Sequence, residues 1–480
     1  MSTDHEQMSN VDTAWFRMER PTNLMMITAV LTFETPLEYK LFKKVVGDRF
    51  LVQKRFMQRP LQEGRHTYWE TDPNFEIDRH IHRTALPGLA GKTELQELVS
   101  DLRSTPLDFS KPLWQFHLVE DYLGGSALIL RVHHCYADGM ALIQVLLSMT
   151  DTLVETISEE EEEQTLFERC IEPIQEFVEH TFRKFKWGQD VLEEGIEIVR
   201  HPSHALNYAK QGVGLAVEAA KLTVLSNDPK TCFKGKLGVN KCVAWSDSSS
   251  LPEIRQVSKI FQCSINDVVL SAVAGALGAY MRERGEMVEG IEIRAAVPVN
   301  LRPEGDTRDL GNEFGLVLST LPIGIENPVA RLYKVKQYMR ELRDSYQALV
   351  TFGIMGVLGY GPNSLEQFAL DILSKKATTV MSNVPGPQKA LYMTGAKLKE
   401  VMFWVPQTGN VSMGISIISY NDRLQFGVIT DERLVDDPQT IVNRFNQELE
   451  KLLWITLIES WDECPTVEQV EAIVKSLMGD

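Results

Sequence analysis

The sequence lacks several features by which a class of protein is commonly recognised. No stretch reaches the roughly 18 to 20 apolar residues that a membrane-spanning helix needs. The six cysteines include no Cys-x-x-Cys pair and no signal peptide precedes them, so we expect reduced thiols in a cytoplasmic protein and no metal site. The formal net charge of −17 argues against a nucleic-acid partner, because phosphates would be repelled.

The composition is that of an ordinary globular protein of more than one domain. The chain has 480 residues, of which 44% are hydrophobic and 24% charged, and this length predicts two domains rather than one core. The best candidate for a membrane-contacting stretch, residues 348–360, contains Gly353, Gly356 and Gly359. It predicts either a buried helix or a patch that contacts a membrane surface, and the sequence leaves both interpretations open.

Hydrophobic periodicity divides the chain into three parts. Residues 1–158 mix strand and helix patterns, residues 159–226 are helical and charged, and residues 227–480 are mixed again. We therefore predict two α/β domains joined by a helical connector. The predicted strands and helices are a strand at 26–33, a helix at 95–102, strands at 243–245, 292–299, 315–321 and 411–418, and a helix at 264–284.

A pair of histidines marks the candidate active site. His133 and His134 follow the apolar run 127–130 and precede Asp138, Gly139 and an apolar-periodic stretch. The pattern predicts a strand-to-helix corner, where a histidine is well placed to act as a general base. Two adjacent histidines at a strand end are also compatible with satisfied polar groups in a core. Cys135, inside the same motif, is expected to be a small apolar filler rather than a nucleophile.

The motif belongs to a wider set of segments that resemble a known family. His-His-x-x-x-Asp-Gly resembles the active-site motif of the CoA-dependent acyltransferase superfamily. Further segments, in family order from about residue 10 to about residue 435, resemble the bacterial wax ester synthase/diacylglycerol acyltransferases. They are Pro106–Trp114, Ser264–Leu270, Val297–Arg302, Gly311–Asn312, Ser382–Pro387 and Ser419–Gly427.

The resemblance implies a fold and a set of roles. It implies two mixed-sheet domains like that of chloramphenicol acetyltransferase, facing each other across a tunnel, and direct acyl transfer without an acyl-enzyme. His134 would deprotonate the acceptor hydroxyl and then protonate the CoA thiolate. His133 would orient its surroundings and Asp138 would hold the corner through a hydrogen bond or salt bridge. Gly139 is expected to let the helix approach the strand end closely.

Asn266 and Asp267 form the second candidate site. Ser264 is a good N-cap, so both residues fall in the first turn of a helix, where backbone N–H groups are unpaired. The Asn266 amide and the helix terminus could stabilise a tetrahedral oxyanion, or both residues could simply cap the helix. The resemblance favours the oxyanion role.

Two further segments have predicted positions. Asn383, Pro385 and Gly386 lie in a rigid Pro- and Gly-containing loop that, by resemblance, borders the acyl-CoA side of the tunnel; a plain strand-to-loop junction is the other interpretation. Residues 106–114 are predicted to be architectural, with Trp114 as an apolar anchor and Asp108 paired with a basic group.

The expected activity is O-acyl transfer from a fatty acyl-CoA to a long-chain alcohol or a diacylglycerol. Acyl-CoA is then a substrate and no cofactor is expected. The location would be cytoplasmic, with peripheral association with the inner membrane or lipid inclusions. Three alternatives stay open: a carrier-protein-dependent condensation-type enzyme, a non-catalytic lipid-binding relative, and an acyltransferase for shorter or branched alcohols. The sequence does not determine the acceptor, the chain length or the oligomeric state.

Overall fold

The structure is a computed structural model of the chain. It describes residues 5–64, 66–152, 225–300, 312, 314–343, 347–348, 350–351, 371–458, 466–469 and 472. The predicted connector lies outside the described residues except for its last two positions. Most of the apolar stretch 348–360 also lies outside them.

The described elements are a mixture of strands and helices along the whole chain. The helices are α1 (Asn10–Arg17), α2 (Tyr39–Val45), α3 (Lys92–Ser104), α4 (Gly139–Ser148), α5 (Leu251–Ile260), α6 (Ile265–Glu283), α7 (Pro328–Arg343) and α8 (Pro438–Ile458). The strands are β1 (His5–Gln7), β2 (Met26–Phe33), β3 (Gln58–Glu63), β4 (His66–Thr71), β5 (Ile81–Thr84), β6 (Trp114–Tyr122), β7 (Gly125–His133), β8 (Asp151–Thr152), β9 (Lys241–Trp245), β10 (Ser249–Ser250), β11 (Ile293–Asn300), β12 (Phe314–Leu321), β13 (Thr379–Pro385), β14 (Leu391–Met393), β15 (Ala396–Trp404), β16 (Met413–Tyr420) and β17 (Arg423–Asp431). The strands and helices whose bounds are predicted above are confirmed within a few residues at each end.

Two seven-stranded sheets carry the fold. The first has the order β5-β6-β7-β2-β15-β14-β8, with β5 parallel to β6. The second has the order β10-β17-β16-β13-β11-β12, with β9 paired to β17, and it combines parallel and antiparallel neighbours. A small sheet β1-β4-β3 lies apart from both. The predicted fold class, α/β with mixed sheets, is confirmed.

The two sheets exchange chain segments. β15 pairs with β2 in the centre of the first sheet, although it lies in the second half of the sequence. Helix α3 in turn reaches the second half: the backbone N–H groups of Lys241 and Val243 donate to Ser104 Oγ (2.8 Å) and Ser100 Oγ (3.0 Å). Each sheet therefore does not correspond to one half of the sequence. The predicted domain boundaries at residues 158 and 226 stay a prediction.

Each sheet has its own hydrophobic core. Every residue of β2, in the centre of the first sheet, is buried. In the second core α6 is buried along most of its length and packs mainly against the helices α8, α7 and α5. Residues of β11, β16 and β17 belong to the same cluster. The small residues of α6 permit close packing; a Cβ on Gly278 would lie 2.2 Å from the Ile323 carbonyl oxygen.

Among the described residues no single helix is both long enough and apolar enough to cross a membrane. Helices α5 and α6 together reach the necessary length and composition, but they meet at a bend of 98°.

Candidate active site

The histidine motif lies where β7, in the centre of the first sheet, ends. Side chains alternate between the two faces of a strand, so Leu130, Val132 and His134 form one row and Arg131 and His133 form the other. The register continues one residue beyond the strand, because the His134 N–H donates to the Met25 carbonyl (2.7 Å). The predicted strand-to-helix corner is thus present, between β7 and α4.

His134 is enclosed by aromatic rings and one amide. Its imidazole stacks on Trp15, with ring centroids 4.2 Å apart and planes inclined by 21°, and Phe314 lies 5.6 Å away. The His134 carbonyl accepts a hydrogen bond from Asn312 Nδ2 (2.8 Å). The ring nitrogen Nδ1 is buried and has no hydrogen-bond partner among the described residues.

Burial keeps the His134 ring neutral. Desolvation lowers its pKa from 6.5 to about 3, and the positive charge of Arg103 acts in the same direction. The His134 backbone carbonyl and the Asn312 side chain oppose this shift. At neutral pH the imidazole is therefore available to accept a proton.

His133 occupies the opposite row and lies beside a carboxylate. Its Nδ1 accepts a hydrogen bond from the Cys135 N–H (3.2 Å), and its Nε2 lies 3.2 Å from Glu19 Oε2. The Glu19 carboxylate also accepts from the N–H of Met25 (2.7 Å), the residue whose carbonyl accepts from the His134 N–H. The contacts of His133 therefore help to hold the strand-to-helix corner. His134 lies on the other face of the strand, in the row of Leu130 and Val132.

Asp138 caps the helix that follows. It is buried at the N-cap of α4, and its Oδ1 accepts from the Ala141 N–H (2.9 Å). The expectation for Gly139 was wrong: a Cβ built there would meet nothing within 4 Å, so no close approach requires glycine. The position instead borders an open cavity.

That cavity lies between the first sheet and α4. It contains about 780 Å³ of space free of protein atoms, part of it open to solvent. Its walls come from β2, β7, β14 and β15 of the first sheet, from α4, and from β13, β16 and the loop after β13. They are almost entirely apolar: Ile27, Ala29, Leu31, Leu130, Val132, Gly139, Leu142, Ile143, Leu146, Leu147, Thr150, Val384, Gly386, Pro387, Leu391, Leu398, Val401, Phe403, Ile418 and Tyr420.

Asn266 and Asp267 lie in the first turn of α6, and their side chains are engaged differently. Asp267 forms a capping box with Ser264: each side chain accepts from the other's backbone N–H, at 2.8 and 3.0 Å. Asn266 Oδ1 accepts from Asn383 Nδ2 (2.7 Å). No hydrogen bond among the described residues joins either side chain to His134.

The Asn383–Gly386 segment runs from the end of β13 into the cavity wall. Gly386 lines the cavity, whereas Asn383 is exposed on the side of α6. Pro385 is the last residue of β13 and pairs with Ser419. A Cβ at Gly386 would lie 2.4 Å from the Ser419 carbonyl oxygen, so this position does require glycine.

Three expectations near the motif are confirmed. Cys135 is fully buried, and burial raises the pKa of its thiol well above the ordinary value, which disfavours the thiolate. Trp114 is fully buried and its Nε1 donates to the Phe56 carbonyl (2.7 Å). Asp108 pairs with Lys111 (2.8 Å), and this ion pair lowers the pKa of the Asp108 carboxyl.

The sequence analysis did not identify four residues around the histidines. Asp12 and Trp15 lie one turn apart on α1, Glu19 follows that helix, and Asn312 precedes β12. The Gly311–Asn312 segment did resemble a family segment, but nothing in it indicated a role. Among the described residues no group of three His, Cys, Asp or Glu side chains is placed to hold a metal ion.

The architecture is that of the acyltransferases and condensation domains. A solved wax ester synthase/diacylglycerol acyltransferase from Marinobacter aquaeolei VT8 matches with a TM-score of 0.62 at 21% identity, over 93% of this chain and 98% of that one. The first condensation domain of the calcium-dependent antibiotic synthetase matches with a TM-score of 0.60 at 12% identity, over 98% and 99%. At these identities the likeness establishes the fold.

The family is established by the sequence. Residues 8–269 match the wax ester synthase/diacylglycerol acyltransferase catalytic domain, and residues 310–453 match the WS/DGAT C-terminal domain. The chain belongs to this family and is an acyltransferase of the WS/DGAT type. A putative diacylglycerol O-acyltransferase of Mycobacterium tuberculosis H37Rv is 28% identical over 94% of this chain and 91% of its own length. A probable diacylglycerol O-acyltransferase of the same strain is 26% identical over 90% and 92%.

Proposed function

We propose that the protein transfers a long-chain fatty acyl group from acyl-CoA to the hydroxyl of a long-chain alcohol or a diacylglycerol, with His134 as general base and without an acyl-enzyme. The observation that carries this proposal is the continuity between cavity and histidine. Leu130 and Val132 line the apolar cavity, and His134 is the next residue of the same row. An apolar chain in the cavity would lead toward the imidazole.

The same alternation supports the choice between the two histidines. His133 belongs to the opposite row and already faces the Glu19 carboxylate. His134 Nδ1 has no hydrogen-bond partner among the described residues, and burial keeps the ring in the form that accepts a proton. The roles of the pair therefore differ: His134 acts as the base, and His133 holds the corner.

The reaction requires one proton to move twice. Because Nδ1 is buried, Nε2 is the nitrogen that we assign as base. It takes the acceptor's hydroxyl proton as the oxygen attacks the thioester carbonyl, which forms a C–O bond and a tetrahedral oxyanion. When the C–S bond breaks, the imidazolium returns that proton to the CoA sulfur. A base of this kind contributes about 10²- to 10⁴-fold, and orientation supplies much of the remainder.

Asn266 is the proposed donor to the oxyanion. Its Oδ1 accepts from Asn383 Nδ2, which orients its own Nδ2 away from that contact. Asp267 holds the helix terminus through the capping box. Gly386 forms the cavity wall on the proposed acyl-CoA side, with Pro385 before it.

The cavity suits a fatty chain because its walls are apolar. Burial of a methylene group is worth about 0.8 kcal/mol, so a long chain would be retained much more strongly than a short one. The polar thioester would remain outside the apolar part, near the histidine corner.

The test is acceptor-dependent CoA release. Purified protein is given palmitoyl-CoA with hexadecanol or with dioleoylglycerol, and free thiol is measured with a chromogenic reagent. We expect release that requires an acceptor and falls by about 10²-fold or more in His134→Ala. Comparison of the two acceptors decides between wax ester and triacylglycerol formation.

His117→Gln is the matched control. His117 is another buried histidine of the first sheet whose pKa burial lowers to about 3, yet it lies on β6 and outside the cavity wall. It should retain most of the wild-type rate. An equal loss in both variants would show that any buried histidine is needed for folding, and full activity in His134→Ala would remove the proposed base.

A carrier-dependent condensation reaction is the second candidate, because the fold is shared with a condensation domain. The same acyl group presented on a phosphopantetheinylated carrier protein provides the comparison. Faster transfer from the carrier than from CoA, at equal thioester concentration, would favour this candidate. Lipid binding without thiol release from either donor would favour a non-catalytic relative.

We also propose a cytoplasmic location with peripheral association with the inner membrane or lipid inclusions. The proposed substrates support it, since both acceptors partition into lipid. Fractionation of cells under conditions that produce inclusions tests it; recovery entirely in the soluble fraction would contradict the association.

A further inference from the structure

A polar contact crosses between the two halves of the chain directly behind His134. Asn312, which precedes β12, donates through Nδ2 to two oxygens: Asp12 Oδ1 at 2.7 Å and the His134 carbonyl at 2.8 Å. Asp12 lies on α1, in the first half. All three residues are buried. The amide thus joins the histidine corner to a carboxylate on another element.

The orientation of the Asn312 amide follows from these bonds. Only the NH₂ group can donate to both oxygens, so Oδ1 must be the remaining atom. Asn312 Oδ1 is buried without a hydrogen-bond partner among the described residues, and so is His134 Nδ1. Two unpaired polar atoms of complementary kind are therefore buried on neighbouring side chains.

The tautomer of His134 is the chemical issue. For Nε2 to accept a proton, the neutral ring must carry its hydrogen on Nδ1. A buried Nδ1–H requires an acceptor. The His134 carbonyl and the Asn312 side chain both raise the pKa of the ring, the carbonyl more strongly. Of the two oxygens, Asn312 Oδ1 is the one that has no other partner among the described residues. A hydrogen bond from Nδ1–H to Asn312 Oδ1 would also support the imidazolium once Nε2 has taken the proton. Trp15, whose ring is stacked on the imidazole with centroids 4.2 Å apart, limits rotation of the His134 side chain.

We propose that Asn312 and Asp12 are positioning residues for His134: Asp12 holds the Asn312 amide, and Asn312 Oδ1 accepts from His134 Nδ1–H in the reacting complex. This inference rests on the proposed function, since it assigns partners to the proposed base. Asn312 influences the pKa of His134 in the direction expected of such an acceptor, because it raises the value against the effect of burial.

The role assigned to Asp12 does not require its charge. An amide oxygen in the same place can accept from Asn312 Nδ2, whereas a methyl group cannot. Asp12→Asn should therefore keep the hydrogen bond from Asn312 Nδ2, and Asp12→Ala should remove it. This pair separates positioning from electrostatic stabilisation.

The experiment compares kcat and KM of full-length variants with palmitoyl-CoA and hexadecanol. Asn312→Ala and Asp12→Ala should lower kcat by about 10²-fold, as expected when a reacting group loses its alignment, with KM within about threefold of wild type. Asp12→Asn should restore kcat to within about fivefold of wild type. His134→Ala is measured beside them.

Asn23→Ala is the matched control for loss of a buried, bridging amide. Asn23 Nδ2 donates to the Gly409 and Val411 carbonyls (2.9 and 3.0 Å), so it also links the first half of the chain to the second. It should destabilise the protein as Asn312→Ala does and leave kcat near wild type. Thermal unfolding of both variants shows whether they are equally folded at the assay temperature.

The outcomes separate this inference from the proposed function. A wild-type kcat in Asn312→Ala, or equal losses in Asn23→Ala and Asn312→Ala at matched stability, would overturn the positioning role. If at the same time His134→Ala is inactive, the base assignment stands. An active His134→Ala would overturn the base and the positioning role together. Failure of Asp12→Asn to recover kcat would remove Asp12 from the arrangement.

Discussion

Asp12, a proposed positioning residue, is a buried carboxyl whose ionised form costs stability. Burial raises the pKa of this carboxyl from 3.8 to about 6, and the hydrogen bond from Asn312, with contributions from Ser9 and Arg55, only partly opposes the effect. The ionised form is therefore less favourable in the folded protein than in the unfolded chain. The carboxylate persists beside Asn312, next to the proposed base.

Removal of this charge should change stability in a pH-dependent way. The unfolded chain loses the Asp12 proton near pH 3.8 and the folded protein near pH 6, so wild-type stability falls as pH rises through this window. Asp12→Asn has no such loss. Relative to wild type, its free energy of unfolding should rise by about 2 kcal/mol between pH 4 and pH 8.

Urea unfolding at the two pH values measures this difference. Because all other titrating groups are shared, their effects cancel between the two proteins. A difference that does not change with pH would mean that Asp12 titrates at an ordinary pKa in the folded state.

At the scale of the elements, two glycines in the cavity wall have opposite requirements. Gly386 follows β13 and approaches the Ser419 backbone, which leaves no space for a side chain. Gly139 opens α4 and faces unoccupied space. From the sequence alone, close packing could require glycine at both positions. The contact distances show that it does so only at Gly386.

Gly386→Ala and Gly139→Ala form a direct comparison. The first should destabilise the protein by about 1–3 kcal/mol, since backbone must move to admit the methyl group. The second should be neutral or stabilising by up to about 1 kcal/mol, because alanine favours helix. Denaturant unfolding tests both, and equal destabilisation by the two substitutions would contradict the assigned packing.

Gly139→Ala has a second expected effect, on the substrate. Its methyl group would extend into the cavity and reduce the space available there. If the cavity holds the acyl chain, the preference among acyl-CoA lengths should move toward shorter chains at unchanged stability. An unchanged preference would place the chain elsewhere.

At the scale of the whole molecule, the sheets bind the two halves into one structure. β2 is hydrogen-bonded to β7 on one side and to β15, from the second half, on the other. Without β15, β2 would become an edge strand whose backbone groups are unpaired and whose apolar side chains are exposed. The contacts of α3 with β9 would be lost as well.

The first half should therefore not fold by itself. Residues 1–226 produced alone are expected to aggregate or to lack cooperative unfolding, whereas residues 1–226 and 227–480 produced together should associate and recover it. Circular dichroism and urea unfolding of each preparation provide the measurement. A cooperatively folded, monomeric 1–226 fragment would show that the strand exchange is dispensable.

Much of the local structure follows from the sequence. The all-buried strand β2, the strand before the histidines, the N-cap at Ser264 and the long helix behind it are predictable because each depends on hydrophobic period and capping within a few residues. The histidine motif and its accompanying segments also indicate the family, since each is a short run of adjacent residues that can be recognised without the structure.

Only the tertiary structure decided which residues meet. Asp12, Trp15 and Asn312 converge on His134 from α1 and from the segment before β12, about 300 positions apart in the chain for Asp12 and Asn312. β15 enters the first sheet from the second half, and Gly139 borders a cavity rather than a tight contact. Local periodicity contains no information about such pairings, because they depend on long-range strand order and on the space left between packed elements.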